Sequence, residues 1–110
     1  MTDDLQPALS EALNTLWTKF LPELVSRVAT LESASASLAA GDLSITQQGE
    51  ANVAAHKLAG VLGTFGLTKG TVLAREAEIM YSSEDGTDPE LAERLGAIAE
   101  ELKAIVANRK

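Results

Sequence analysis

The most informative stretch of the chain is GEANVAAHKLAGVLGTFGL, residues 49–67, which contains His56, the protein's only histidine. At about 100° per residue, a helix through this stretch has one broad apolar side that must be buried. That side consists of Ala51, Ala54, Ala55, Leu58, Val61, Leu62 and Phe65. The opposite, outward side consists of His56 with Gly49, Asn52, Ala59, Gly60 and Gly63. The stretch therefore predicts a helix that presents one histidine to solvent.

Small residues surround this histidine on the outward side. A glycine inside a helix costs roughly 0.5–1 kcal/mol relative to alanine, so three of them beside one imidazole require an explanation. A bare surface allows another molecule to come close to the ring. We therefore interpret His56 as a functional residue rather than an incidental surface residue.

The composition restricts the class of protein. The 110 residues fit a single domain, residues 1–110, and 45% of them are hydrophobic but only 4% are aromatic, as in a small helical bundle with an aliphatic core. Sixteen acidic against nine basic residues give a net charge of -7, which argues against nucleic-acid and anionic-membrane partners. The absence of cysteine excludes disulfides, thiolate metal sites and cysteine nucleophiles.

The sequence also lacks the pattern of a targeting segment. The N-terminus reads MTDDLQPA, without the basic and apolar regions of a signal peptide. No apolar run reaches the roughly 18 residues of a membrane span. We expect a soluble, cytoplasmic protein.

Helical periodicity continues on both sides of the histidine segment. Leucines and aromatic residues predict a helix over about residues 4–20, and Pro22 either kinks it or starts a second helix that runs to about Ala40. The histidine helix is predicted to span roughly residues 44–65 and to end at Gly66.

Two further helices complete the pattern. The first begins with Thr68 as its N-cap and has its last apolar residue at Tyr81. A polar loop, residues 82–89, ends in Asp88 and Pro89, which suit the N-cap and first residue of a final helix. The predicted fold is an all-α, antiparallel up-and-down four-helix bundle with an additional N-terminal helix.

Enzymatic chemistry finds little support in the sequence. One histidine without cysteine leaves only carboxylates for a metal site, so no metal is expected. We interpret the acidic pair Glu76 and Glu78 as solvated helix surface. No GxSxG motif occurs, and the glycines after His56 match no nucleotide-binding fingerprint.

Residues 55–67, AHKLAGVLGTFGL, resemble the signature of histidine-containing phosphotransfer (HPt) domains. That signature has a leucine two residues after the histidine and glycines four, seven and ten residues after it. The matching residues here are Leu58, Gly60, Gly63 and Gly66. Residues 70–80 resemble the next helix of the family, and GTFGL also resembles the N-terminal phosphotransfer domain of chemotaxis histidine kinases.

The resemblance implies a phosphorelay intermediate of two-component signalling. His56 would accept a phosphoryl group from the aspartyl phosphate of a receiver domain, or from a histidine kinase, and pass it on without autokinase activity. The expected partners are a response-regulator receiver domain, a hybrid histidine kinase or both. Mg²⁺ is expected on the receiver, and no cofactor in this domain. A carrier with one site is expected to be a monomer.

The same resemblance gives roles to the neighbours of the histidine. Gly60 and Gly63 would leave room for the incoming partner. Asn52 would contact the partner or hold the imidazole ring, whereas a plain surface role is expected for Gln48.

One position departs from the family pattern. Members often carry a lysine three residues after the histidine, near the phosphoryl group, whereas this chain has Ala59. Lys57, about 100° around the helix from His56, and Lys69, just beyond the turn, are candidates to replace that charge. A solvated surface role is the alternative for each lysine.

Two other interpretations remain open, and Ala59 favours the first of them. In one, the bundle is a non-phosphorylated interaction module, a degenerate HPt domain that binds receiver domains or kinases. In another, it is a phosphoacceptor domain detached from a larger multidomain signalling protein. The sequence specifies neither the partner nor the direction of phosphoryl flow.

Overall fold

Four α-helices make up a computed structural model of the chain, which describes the backbone of residues 2–109 and the side chains of residues 8–84 and 86–109. They are α1 (Thr2–Ala39), α2 (Ile45–Thr64), α3 (Thr68–Ser82) and α4 (Ala92–Asn108). Two short 3₁₀ turns, Glu84–Thr87 and Pro89–Leu91, connect α3 to α4. No strand occurs in residues 2–109, and the prediction of an all-α bundle is confirmed.

The first helix differs from the prediction. The sequence predicted an additional N-terminal helix ahead of Pro22, but α1 is one helix of 38 residues that runs through this proline. A proline fits helical backbone angles and disturbs mainly the bond to the carbonyl four residues earlier. Packing of the residues before and after Pro22 offsets the missing hydrogen bond. Trp17 lies edge-on to Phe65, with ring centroids 5.1 Å apart, and Leu24 is completely buried.

Glycines in the left-handed conformation end the first two helices. Gly41 has a φ of 76° and Gly66 a φ of 71°. The amides of Gly66 and Leu67 donate hydrogen bonds to carbonyls in the last turn of α2, which satisfies the free end of that helix. Only residues 65–67 then separate α2 from α3, so the two helices pack antiparallel, as predicted.

The starts of the helices are capped in different ways. The Ser44 hydroxyl accepts a hydrogen bond from the backbone amide of Gln47 at 3.0 Å and so caps α2. Asp88 accepts the amide of Glu90 at 3.0 Å, but it caps the short turn that precedes α4. The predicted N-cap role of Thr68 is wrong: it is the first residue of α3, because that helix begins directly after the glycine turn.

The packing order of the helices leaves one face of α2 open. α2 packs against α1 and α3, and α4 packs against the same two helices, so α2 and α4 stand at opposite corners of the bundle. The predicted apolar side of α2 is confirmed at its centre by five buried residues: Ala51, Ala54, Ala55, Leu58 and Leu62. Val61 and Phe65 are partly buried against the core. The other side of α2 faces solvent.

Tyr81, near the end of α3, is the largest polar side chain in this core. It is 2% exposed, and its hydroxyl forms no hydrogen bond with any described residue. Burial raises the pKa of this phenol to about 12. The hydroxyl therefore stays protonated in the folded protein at pH values where an exposed tyrosine ionises.

The wild-type protein is expected to lose stability at alkaline pH, and replacing Tyr81 with phenylalanine should prevent this loss. As pH rises from about 10 to about 12, the unfolded state releases the Tyr81 proton before the folded state does, so the free energy of unfolding falls. At about 1.4 kcal/mol per pKa unit, the fall is up to about 2–3 kcal/mol. At pH 7 the variant should equal or exceed the wild type, because an unpaired buried hydroxyl is gone.

Urea unfolding of both proteins at pH 7 and at several values up to pH 12 measures this difference. The phenylalanine ring preserves the packing, so the comparison isolates the hydroxyl. Parallel loss of stability in the two proteins would contradict the prediction.

Candidate functional site

His56 lies on the open face of α2, and its side chain is 65% exposed. Its Nδ1 atom is 2.7 Å from Oε2 of Glu78, which belongs to α3. A carboxylate can only accept a hydrogen bond, so the ring must carry its proton on Nδ1. No described residue forms a hydrogen bond with Nε2. In the uncharged form of the ring, the Nε2 lone pair consequently faces solvent.

The bond from His56 to Glu78 is the last of three regular links from α2 to α3. One turn earlier, the Asn52 amide donates to the backbone carbonyl of Glu78 at 2.8 Å. A further turn back, the Gln48 amide donates to the carbonyl of Tyr81 at 2.7 Å. We call these three bonds the α2–α3 ladder. Because Asn52 holds the backbone of Glu78, it fixes the position of the carboxylate that orients the histidine.

The ladder changes the interpretation of two polar residues. The alternatives for Asn52 were contact with a partner or holding the ring; its amide is bonded to the backbone of Glu78, the residue whose carboxylate contacts the ring. The expected surface role of Gln48 is wrong, because its amide is bonded to α3. The signal was present in the sequence: polar residues at 48, 52 and 56 recur every four residues, which is typical of a helix edge that lies along a neighbour.

Sequence reasoning missed Glu78, which was interpreted as solvated surface. Its side chain is only 24% exposed, and it also lies 3.8 Å from Arg75. An acid at the edge of the apolar side of α3 requires a partner. In the short antiparallel hairpin about Gly66, positions 56 and 78 lie at similar distances from the turn. Those two observations together would have paired Glu78 with His56.

The predicted outward position of Ala59 is wrong. Ala59 is 1% exposed and belongs to the core, because α3 covers the side of α2 on which it lies. Its carbonyl is 3.4 Å from the Thr71 hydroxyl of α3. A Cβ atom added at Gly63 would lie 3.4 Å from the same hydroxyl. The small residue at 63 therefore allows the close approach of α3, in addition to any clearance for a partner.

Gly60 behaves differently from Gly63. It is exposed, and a Cβ atom added there would meet no other residue within 4 Å. Packing within the domain therefore does not explain this glycine. One turn after His56, it leaves the surface beside the ring bare.

The structure separates the two candidate lysines. Lys69 lies 3.2 Å from Glu101 of α4, in an ion pair away from the open face of α2. Lys57 borders a shallow depression of about 370 Å³ that also includes His56. Arg27 of α1, which sequence reasoning missed because it is distant in the chain, borders the same depression.

An exposed histidine whose Nδ1 is bonded to a carboxylate can present its Nε2 atom as a nucleophile. The family model of the Hpt domain matches residues 15–108. The chain belongs to the Hpt family. Members of this family are phosphocarrier modules of two-component phosphorelays rather than catalytic enzymes, and they interact with receiver domains or kinases.

A relative supports the same assignment. Protein RcaC of Microchaete diplosiphon is 35% identical to this chain over 89 residues, which make up 81% of the chain and 14% of RcaC. The chain thus corresponds to a small part of that protein. No solved structure matches the chain significantly. Within the part of the chain that the structure describes, no helix is long and apolar enough to cross a membrane.

Proposed function

We propose that this domain is a phosphorelay intermediate that accepts a phosphoryl group on Nε2 of His56 and passes it on. The donor is the aspartyl phosphate of a receiver domain or a histidine kinase, and the domain has no autokinase activity of its own. The observation that carries the proposal is the histidine itself: Nδ1 is bonded to Glu78 at 2.7 Å, while the rest of the ring is exposed on an open face.

The chemistry follows from the state of the ring. The Nε2 lone pair attacks the phosphorus atom in line, an N–P bond forms, and the P–O bond to the aspartyl carboxylate breaks with its electron pair left on that carboxylate. The ring keeps its Nδ1 proton and gains positive charge, which the Glu78 carboxylate stabilises. Mg²⁺ belongs to the partner receiver. Transfer to the next acceptor is the reverse of these steps.

The open face of α2 is the proposed docking surface. Gly60 and the ring lie side by side on it, so a receiver can bring its phosphorylated aspartate to Nε2 without meeting a side chain at position 60. We propose that the domain acts as a monomer in the cytoplasm. The chain aligns with 14% of the length of RcaC, which is consistent with a role as one module of a longer signalling protein.

The second candidate is an interaction module that binds receivers or kinases without being phosphorylated. The replacement of the common lysine by the buried Ala59 favours it. In that case His56 would contribute nothing to signalling, and its substitution would leave partner binding unchanged.

Phosphorylation of the domain by a receiver tests the proposal. The protein is incubated with a receiver phosphorylated on aspartate and with Mg²⁺, and acid-labile, base-stable label is measured. We expect at most one phosphoryl group per chain, and ³¹P and ¹⁵N NMR should place it on Nε2 of the single histidine. Absence of label with several receivers and kinases would favour the interaction module.

Replacing Glu78 with alanine is expected to slow receiver-dependent phosphorylation about 10- to 100-fold, the size of effect seen when carboxylates that orient metal-binding histidines are removed. The variant loses both the fixed proton position and the negative charge beside the reacting ring. Glu78→Gln keeps an acceptor but no charge, so its rate should lie between those of the wild type and the alanine variant.

Rapid-quench measurement of the first turnover gives these rates, with circular dichroism as a check on folding. Glu100→Ala removes an exposed acid of α4 and serves as the matched control. A normal rate for Glu78→Ala would mean that the ladder has no part in transfer.

A further inference from the structure

The missing family lysine leaves the electrostatics of the site unexplained. A phosphoryl group in transfer carries negative charge spread over its three outer oxygens, and the chain as a whole has a net charge of -7. Ala59 is buried and uncharged, and Lys69 is paired with Glu101. Any cation that this domain contributes must therefore come from elsewhere on the open face.

We propose that Arg27 of α1, together with Lys57 of α2, binds the phosphoryl group at His56 and replaces the charge that Ala59 cannot supply. This inference rests on the proposed function. Among the described residues around the depression beside the ring, Arg27 and Lys57 are the cations. The depression is bordered by Phe20, Glu23, Arg27, His56, Lys57, Gly60, Val61 and Thr64.

Arg27 is well suited to this role. Its side chain is 22% exposed, so the helices hold its stem while the guanidinium reaches the surface. It forms an ion pair with Glu23, one turn earlier, at 3.4 Å. This pair is long and weak, because the Glu23 side chain is exposed. The guanidinium has five N–H donors in a planar fork that matches two phosphoryl oxygens. Most of them remain available for such a ligand.

Lys57 lies on the same side of the histidine as α1. It follows His56 directly, which turns it about 100° around α2, whereas Ala59 lies on the side covered by α3. Lys57 and Arg27 also border a second, neighbouring depression between α1 and α2. The two cations thus share one flank of the ring, and Glu78 occupies the other.

Two helices have different roles beside the imidazole. The α3 flank provides the carboxylate that fixes the Nδ1 proton, and the α1 flank provides positive charge for the phosphoryl oxygens. The proposed phosphoryl position therefore lies above the groove between α1 and α2. A lysine at position 59, in contrast, would approach from the α3 side.

The test compares two phosphodonors in Arg27→Met, Lys57→Met and the double variant. One donor is a phosphorylated receiver with Mg²⁺. The other is phosphoramidate, a small molecule that transfers its phosphoryl group to histidine with loss of ammonia and needs no protein docking. If the cations bind the phosphoryl group, labelling by both donors should fall, about 10-fold in each single variant and about 100-fold in the double variant.

Matched variants exclude a general effect of charge or folding. Lys103→Met removes an exposed lysine of α4 and should leave both rates within about twofold, since surface charges this far apart are screened. Arg27→Lys keeps the charge without the fork and should recover part of the loss. Thermal unfolding verifies that each variant is folded.

The outcomes are separable. A loss of receiver-dependent labelling alone would assign Arg27 and Lys57 to docking and overturn the inference, as would unchanged rates with both donors. If the wild type itself takes no label from either donor, the proposed function fails and the inference with it. Labelled wild type with unaffected variants rejects only the inference.

Discussion

Replacing His56 with glutamine is expected to give a folded bundle that accepts no phosphoryl group. An amide nitrogen has no lone pair suited to attack on phosphorus, and the chain contains no other histidine. Label transferred from a phosphorylated receiver should fall by about 1000-fold or more, as on removal of any obligatory nucleophile. The fold should persist, because the side chain is 65% exposed and exposed substitutions usually change stability by about 0.5 kcal/mol or less.

A signalling assay on this variant separates the candidate functions, once receiver binding is shown to be intact. Binding of the unphosphorylated receiver, measured by calorimetry, should be close to that of the wild type, since glutamine occupies similar space. A signalling assay in cells should then fail with His56→Gln if the domain is a phosphocarrier. Normal signalling by this variant would instead support the non-phosphorylated interaction module.

Replacing Gly60 with arginine is expected to block receiver-dependent transfer while preserving the fold. The added side chain meets nothing within the domain, because a Cβ atom at this position has no neighbour within 4 Å. It would stand on the open face one turn from His56 and hold an incoming receiver away from Nε2. A displacement of about 1 Å at a reacting centre can cost about 100-fold in rate, and we expect at least that loss. Stability should rise by roughly 0.5–1 kcal/mol, since the glycine is removed from a helix interior.

Phosphoramidate and two control variants complete this experiment. Labelling of Gly60→Arg by phosphoramidate should remain within a few-fold of the wild type, because this donor needs little room. Gly60→Ala removes the same glycine but adds only a methyl group, and it controls for the gain in helix stability. Ala104→Arg adds the same charge to the exposed face of α4, at the opposite corner of the bundle. A normal receiver-dependent rate for Gly60→Arg would reject the docking surface.

Local rules of helix formation allowed much of this fold to be predicted. The apolar side of α2, its end at Gly66 and the antiparallel return of α3 depend on residues close together in the chain. Prediction was wrong at Pro22, where the choice between a break and a continuous helix depends on packing against other helices. Trp17 and Leu24 supply that packing, and their burial cannot be derived from α1 alone.

Only part of the candidate site could be predicted, because some of its residues are placed by one helix and others by contacts between helices. His56 and Gly60 could be placed on an outward face because one helix defines that face. Ala59 was misplaced, since the wheel does not show that α3 covers its flank. Glu78 and Arg27 come to the histidine from α3 and α1, so their roles depend on tertiary contacts.

The α2–α3 ladder has a consequence for the energetics of the relay. Gln48 and Asn52 hold α3 in register, and Glu78 holds the ring from the side that does not react. Under the proposed function, the imidazole can therefore keep one orientation with and without a phosphoryl group, so transfer in either direction needs little reorganisation energy. The proposed carrier would then favour neither direction through rearrangement of its own site. The net flow of phosphoryl groups then follows mass action. The ratio of phosphorylated to unphosphorylated protein for each partner decides which partner becomes phosphorylated.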